Sequence, residues 1–64
     1  MYPEILNQMK LHNEKQKDIA ILLDLDISQV SRKLSGYIEF SLEEAKALCE
    51  HYKMSFEELF RKEN

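Results

Sequence analysis

The chain has 64 residues, 44% hydrophobic and 33% charged, with a net charge of −3 and one residue each of cysteine, glycine and proline. That length supports a single domain near the lower limit for folding alone. One cysteine excludes an internal disulfide, and Cys49, His12 and His51 lack zinc-ligand spacing, so stability rests on helix packing, a partner subunit, or both.

No apolar run approaches the ~20 residues of a membrane span. The first residues lack the basic-then-apolar order of a signal peptide, so an intracellular, cytoplasmic location is expected. The scarcity of glycine and proline favours helices over strands and hairpins, and the expected fold class is all-α.

Pro3 suits the first turn of a helix, and Ile5, Leu6 and Met9 follow at helical spacing, predicting a first helix over 3–12 with Asn13 as a left-handed stop. A second helix begins at Lys15 or Gln16, with Ile19, Ala20 and Leu23 as its inner stripe. The pattern breaks over Asp24-Leu25-Asp26. Asp26 reads as the N-cap of a third helix, and Gln29 sits where a capping-box partner belongs. Val30 and Leu34 form a narrow apolar stripe among Ser28, Gln29, Ser31, Arg32, Lys33 and Ser35, and Gly36 ends the helix.

Ser41-Leu-Glu-Glu44 and Ser55-Phe-Glu-Glu58 are two more capping boxes. The first precedes Leu42, Ala45, Leu48, Cys49 and Tyr52. The second has Met54 and Leu59 in the positions of a hydrophobic staple. Helices over 42–52 and 56–62 follow, giving five short helices.

The net charge points away from nucleic acid until it is partitioned. Residues 1–14 carry −1, residues 15–38 carry +1, and residues 39–64 carry −3. The acidic excess lies in the C-terminal third, which leaves one face free to be locally positive. The third helix has a thin buried stripe and a wide polar surface of hydroxyls, an amide and a guanidinium, whereas a helix serving only the core carries a broader apolar face. Ser and Gln can donate and accept toward base edges, and Arg can bind guanine through two bonds. Gln16 and Lys17 stand at the start of the second helix, where phosphate is favoured.

The run Gln16-Lys-Asp-Ile-Ala20-x-x-Leu23-x-Leu25-x-Ile-Ser28-x-Val30-Ser31-x-x-Leu34-x-Gly36 resembles the lambda-repressor/Cro (XRE-like) class of helix-turn-helix proteins. The resemblance extends through the fourth helix to the Met54–Phe60 segment. It implies a compact five-helix lambda-repressor-like DNA-binding domain over 1–64, with its third helix, about 27–34, in the major groove. By that resemblance Gln16 touches phosphate or a flanking base, and Ile27, Ser28 and Arg32 fall where base-reading side chains lie, with Gln29 and Ser31 beside them. Ser35, Tyr37 and Ile38 fall where the following loop meets the DNA backbone. The chain departs from the pattern at Asp24, where the family has Gly, at Lys15, where it has a Ser or Thr cap, and at Ile27, where it has a polar residue. Ile27 either meets a thymine methyl or is partly buried.

Each residue also has a plainer reading. Arg32 and Lys33 form a basic pair open to groove, phosphate or solvent, and Ser28 and Gln29 can serve only as capping groups. Ile21 and Leu22 either widen the core beneath the first helix, expected for one of them, or form a patch for a partner. Phe56, Leu59 and Phe60 are expected mostly in the core, with part of that surface available for dimerisation. Cys49 reads as a small buried apolar residue and the histidines as surface residues.

No catalytic triad, carboxylate pair or phosphate loop is present, so neither enzyme activity nor a cofactor or metal is expected. The leading expectation is a sequence-specific DNA-binding repressor of the Cro type, a homodimer on a pseudo-palindromic operator. The alternatives are a helix-turn-helix fold reused to bind a protein, and an antitoxin-like regulator binding both DNA and a protein partner.

Overall fold

The computed structural model describes residues 1–62. Helix α1 (Pro3–Leu11) opens on its proline. The Glu4 carboxylate in the first turn accepts from Gln8 Nε2 at 2.9 Å and Asn7 Nδ2 at 3.3 Å. Those two bonds, Gln8's first, hold its carboxyl below the ordinary value. The helix ends one residue before the expected His12, and Asn13 turns the chain with φ 54°, a conformation Asn tolerates better than most residues.

Helix α2 (Gln16–Leu23) ends at Asp24, also left-handed with φ 58° and ψ 51°. Helix α3 (Ile27–Ser35) ends at Gly36, helix α4 (Leu42–Tyr52) at Lys53, and helix α5 (Phe56–Leu59) at Phe60. These are all the regular elements among the described residues, and the class is all-α as the sequence predicts. None is long and apolar enough to cross a membrane.

The last helix stops short of the predicted 56–62. Phe60 leaves it to meet Tyr2 and Phe40, the three rings packing edge to face with centroids 5.4–5.6 Å apart. This trio joins the start of the chain, the α3–α4 loop and the residue after α5.

All five helices feed one core: Ile5 and Met9 from α1, Ile19 and Ala20 from α2, Val30 and Leu34 from α3, Leu48 and Tyr52 from α4, and Leu59 from α5. A fully buried aliphatic side chain such as Leu48 is stabilised by about 1.5–3 kcal/mol relative to exposure. Three expectations about the core's edge need correction. Ile21 is 80% exposed, and Leu22, which lines a cavity with Ser41, Glu43 and Ala47, is 38% exposed. Phe56 is 58% exposed and stacks flat on Phe60 at 4.9 Å instead of entering the core. Cys49 is half-buried; burial, then the neighbouring Glu50 charge, raises its thiol above the ordinary value.

A polar clamp crosses the fold. One oxygen of Glu14, in the α1–α2 turn, accepts the Tyr52 hydroxyl at 2.6 Å, and the other lies 2.6 Å from His51 Nε2. Burial pushes the Glu14 carboxyl up, but the Tyr52 and His51 bonds and the charges of His51 and His12 outweigh it and hold it below its ordinary value. Burial and the carboxylate together push the Tyr52 phenol well above its usual range. The turn that precedes α2 is thereby fastened to the end of α4.

Candidate nucleic-acid interface

The turn between α2 and α3 is built by backbone hydrogen bonds. The left-handed Asp24 lets the Leu25 N–H reach back to the Ala20 carbonyl at 2.9 Å, which seats Leu25 against the core. Asp26 is extended, with φ −73° and ψ 153°, and its N–H donates to Gln29 Oε1 at 3.1 Å. Gln29 is therefore the capping partner that the sequence indicates, with its carbonyl oxygen engaged.

Helix α3 then divides its residues between two sides. Val30 and Leu34 are buried, while Ile27, Ser28, Gln29, Ser31, Arg32 and Ser35 are exposed. Ile27 is 53% exposed, which resolves its two readings toward solvent. The Arg32 guanidinium has no acidic partner among the described residues.

The Arg32 carbonyl gathers four donors: the Gly36 N–H, the Ser35 hydroxyl at 3.1 Å, the Tyr37 N–H at 2.9 Å and the Ile38 N–H at 3.4 Å. Those bonds need the chain to reverse at Gly36, where φ is 94°. A Cβ there would meet nothing closer than 3.5 Å, so backbone conformation rather than crowding asks for glycine. The reversal presents the Tyr37 ring, 87% exposed, beyond the end of α3.

Lys33 departs from its expected place. It is 8% exposed, and its ammonium lies 2.5 Å from Glu44 Oε1 at the start of α4. It faces the scaffold, away from the exposed polar surface. The signal for this was present in the sequence, because positions 30, 33 and 34 share one face of a helix. Burial pushes the Glu44 carboxyl up, but the Lys33 and Ser41 bonds outweigh it and hold it below its ordinary value. Glu14 was also missed as a structural group; its partners lie 37 and 38 positions away, and no local pattern announces them.

At the start of α2, Lys15 stands in the cap position in extended conformation, and its N–H donates to Asp18 Oδ2 at 2.8 Å. An ammonium cannot accept a hydrogen bond. The Gln16 and Lys17 N–H groups consequently find no acceptor among the described residues. Gln16 and Lys17 are both exposed, so this helix start offers open donors beside two lysines.

Two helices joined by a tight left-handed turn, the second with a narrow buried stripe and a polar outer face, make a helix-turn-helix unit of the DNA-binding kind. The BetR domain model matches residues 3–64, and the chain belongs to that family of helix-turn-helix DNA-binding domains. No curated protein and no solved structure matches the chain.

Proposed function

We propose that this chain is a sequence-specific transcriptional regulator of the Cro or small-repressor type. It acts on cytoplasmic DNA by binding rather than catalysis and needs no cofactor. Helix α3 enters the major groove with Ile27, Ser28, Ser31 and Arg32 toward base edges. Gln29 lies beside them, its carbonyl oxygen held in capping. Gln16 and Lys17 at the start of α2, and Ser35 and Tyr37 after α3, meet the sugar-phosphate backbone on either side. Two copies bind a pseudo-palindromic operator with their α3 helices one DNA turn apart, roughly 34 Å.

The observation that carries this reading is the outer face of α3: exposed hydroxyls around a guanidinium that no carboxylate among the described residues neutralises. Open N–H groups at the start of α2 support it. Selection on random duplex DNA tests it. A short enriched motif repeated with two-fold symmetry is the expected outcome, and no enrichment even at low salt defeats it. Lys15 and Lys17 are the cations placed against phosphate at the start of α2, so log K should fall against log salt with a slope of about −2 per subunit.

A second reading rests on Ile21 and Leu22, two exposed aliphatic side chains on α2. They favour a protein partner, either in place of DNA or, as in an antitoxin-like regulator, together with it. Amide shifts on adding duplex DNA separate the cases. Changes over 15–17 and 27–38 support DNA binding, and their absence favours the protein partner.

A further inference from the structure

Lys33 is a lysine on the helix proposed to read DNA, yet it is turned away from that surface. Its ammonium meets Glu44 Oε1, and the same oxygen accepts the Ser41 N–H at 2.9 Å while the Glu44 N–H donates to Ser41 Oγ at 3.1 Å. One carboxylate thus closes the first turn of α4 and holds the last turn of α3. The two side chains are 10% and 15% exposed, and no buried polar side-chain atom among the described residues lacks a partner.

An ion pair this sheltered is a poor source of stability, because desolvating both charges offsets most of their attraction. An apolar pair would fill the same space at least as well. The pair does supply direction: an ammonium must point at its carboxylate, whereas Val30 and Leu34 tolerate small rotations of α3. Helix α3 packs mainly on α2, and the ion pair ties its last turn, where Arg32 and the Tyr37 loop begin, to the start of α4.

We propose that Lys33 and Glu44 form a latch that sets the orientation of α3, so that both are positioning residues for sequence discrimination and neither touches DNA. This rests on the DNA-binding reading above. The latch acts on selectivity: it holds Ser28, Ser31 and Arg32 at one angle to the groove while the phosphate contacts are made by other residues. A side chain misplaced by about 1 Å is enough to lose a directional contact to a base edge.

The test compares the selected operator with a scrambled duplex for the whole protein and its variants. In the double variant Lys33→Met, Glu44→Gln, the amide oxygen can still cap Ser41, as Gln29 does for Asp26, but the charges are gone. Its preference for the operator should fall at least tenfold, with unchanged affinity for scrambled duplex and an unchanged salt slope. Lys33→Arg should keep the preference within about twofold, since a guanidinium also binds a carboxylate.

Ser41→Ala separates positioning from mere stability. It weakens the α4 cap while leaving the ion pair in place, and its preference should not change. Should the double variant fail to fold, Glu44→Asp keeps both charges, shortens the reach by one methylene, and should show the same loss. Three results overturn the latch: unchanged preference in the double variant or in Glu44→Asp, an equal loss in Ser41→Ala, or a salt slope reduced by about one, which would put Lys33 on a phosphate. If the unaltered protein itself shows no preference, the DNA-binding reading fails and the latch's role goes with it.

Discussion

The helices of the helix-turn-helix unit and those that follow it begin differently. Helices α4 and α5 each start on a serine whose hydroxyl accepts an N–H from the first turn, at 3.1 Å and 3.2 Å, while a glutamate answers the serine N–H. Helices α2 and α3 have only the second half of that exchange: Asp18 answers Lys15 and Gln29 answers Asp26, and neither cap residue's side chain accepts from the helix. In α4 and α5 the third N–H goes to a serine hydroxyl, whereas in α2 the matching N–H, of Asp18, goes to the Lys15 carbonyl at 2.9 Å, so no side chain accepts from the α2 start. Scaffold changes should therefore act on stability and recognition changes on affinity.

The largest expected effect tests the scaffold side. Leu48→Ala, which empties the centre of the core, should lower unfolding free energy by about 2–5 kcal/mol, measured by urea denaturation, and leave operator preference intact in the folded fraction. A comparable loss of selectivity would break the division between the halves. Arg32→Ala should do the reverse, weakening operator binding by about 1–3 kcal/mol and relaxing specificity, with no change in melting temperature.

On the pH axis, Glu14 and Glu44 both have carboxyl values lowered from the ordinary 4.5. Their stabilisation is fully present above that value and is lost as pH falls through the lowered ones. Urea midpoints should hold from pH 7 to about 5 and drop below pH 4.5. Glu14→Gln should flatten part of that drop, and an identical acid limb in the variant would exclude the clamp as its source. The smallest effect is the most pointed. Lys15→Ser gives α2 the side-chain cap it lacks and should raise stability by about 1 kcal/mol or less, while weakening DNA binding through a lost cation and occupied N–H groups. A variant more stable and equally tight would show that the open helix start has no part in binding.

The same contrast explains how far the sequence could be read. Ser41, Ser55, Asp26 and Gly36 act on their nearest neighbours along the chain, so the starts of α3, α4 and α5 and the end of α3 are legible as local chemistry. The exposed positions on α3 follow from helical period alone. The length of α5 is not local: Phe60 leaves the helix because Tyr2 and Phe40 offer it an aromatic niche. Glu14 reaches partners on a distant helix for the same kind of reason. Ile21 reads as a core residue by type, yet it stands 80% exposed. Lys33 lies between these cases. Its face was available from spacing, but its basic character suggested DNA, and the counter-charge that turns it inward lies eleven residues away on another helix.

The reversal at Gly36 has a practical consequence at the bench. The position a Cβ would take there is 3.5 Å from the Met1 nitrogen, so the first residue sits against the end of α3 and beside the Tyr37 loop. An affinity tag or fluorophore fused ahead of Met1 would emerge next to the surface proposed to meet DNA, with a polyhistidine tag adding cationic or metal-binding groups at that spot. Lys62 lies over the Tyr2 ring at 5.7 Å and 4.0 Å from Glu39, so the last described residue sits near the same loop and a label there meets the same difficulty.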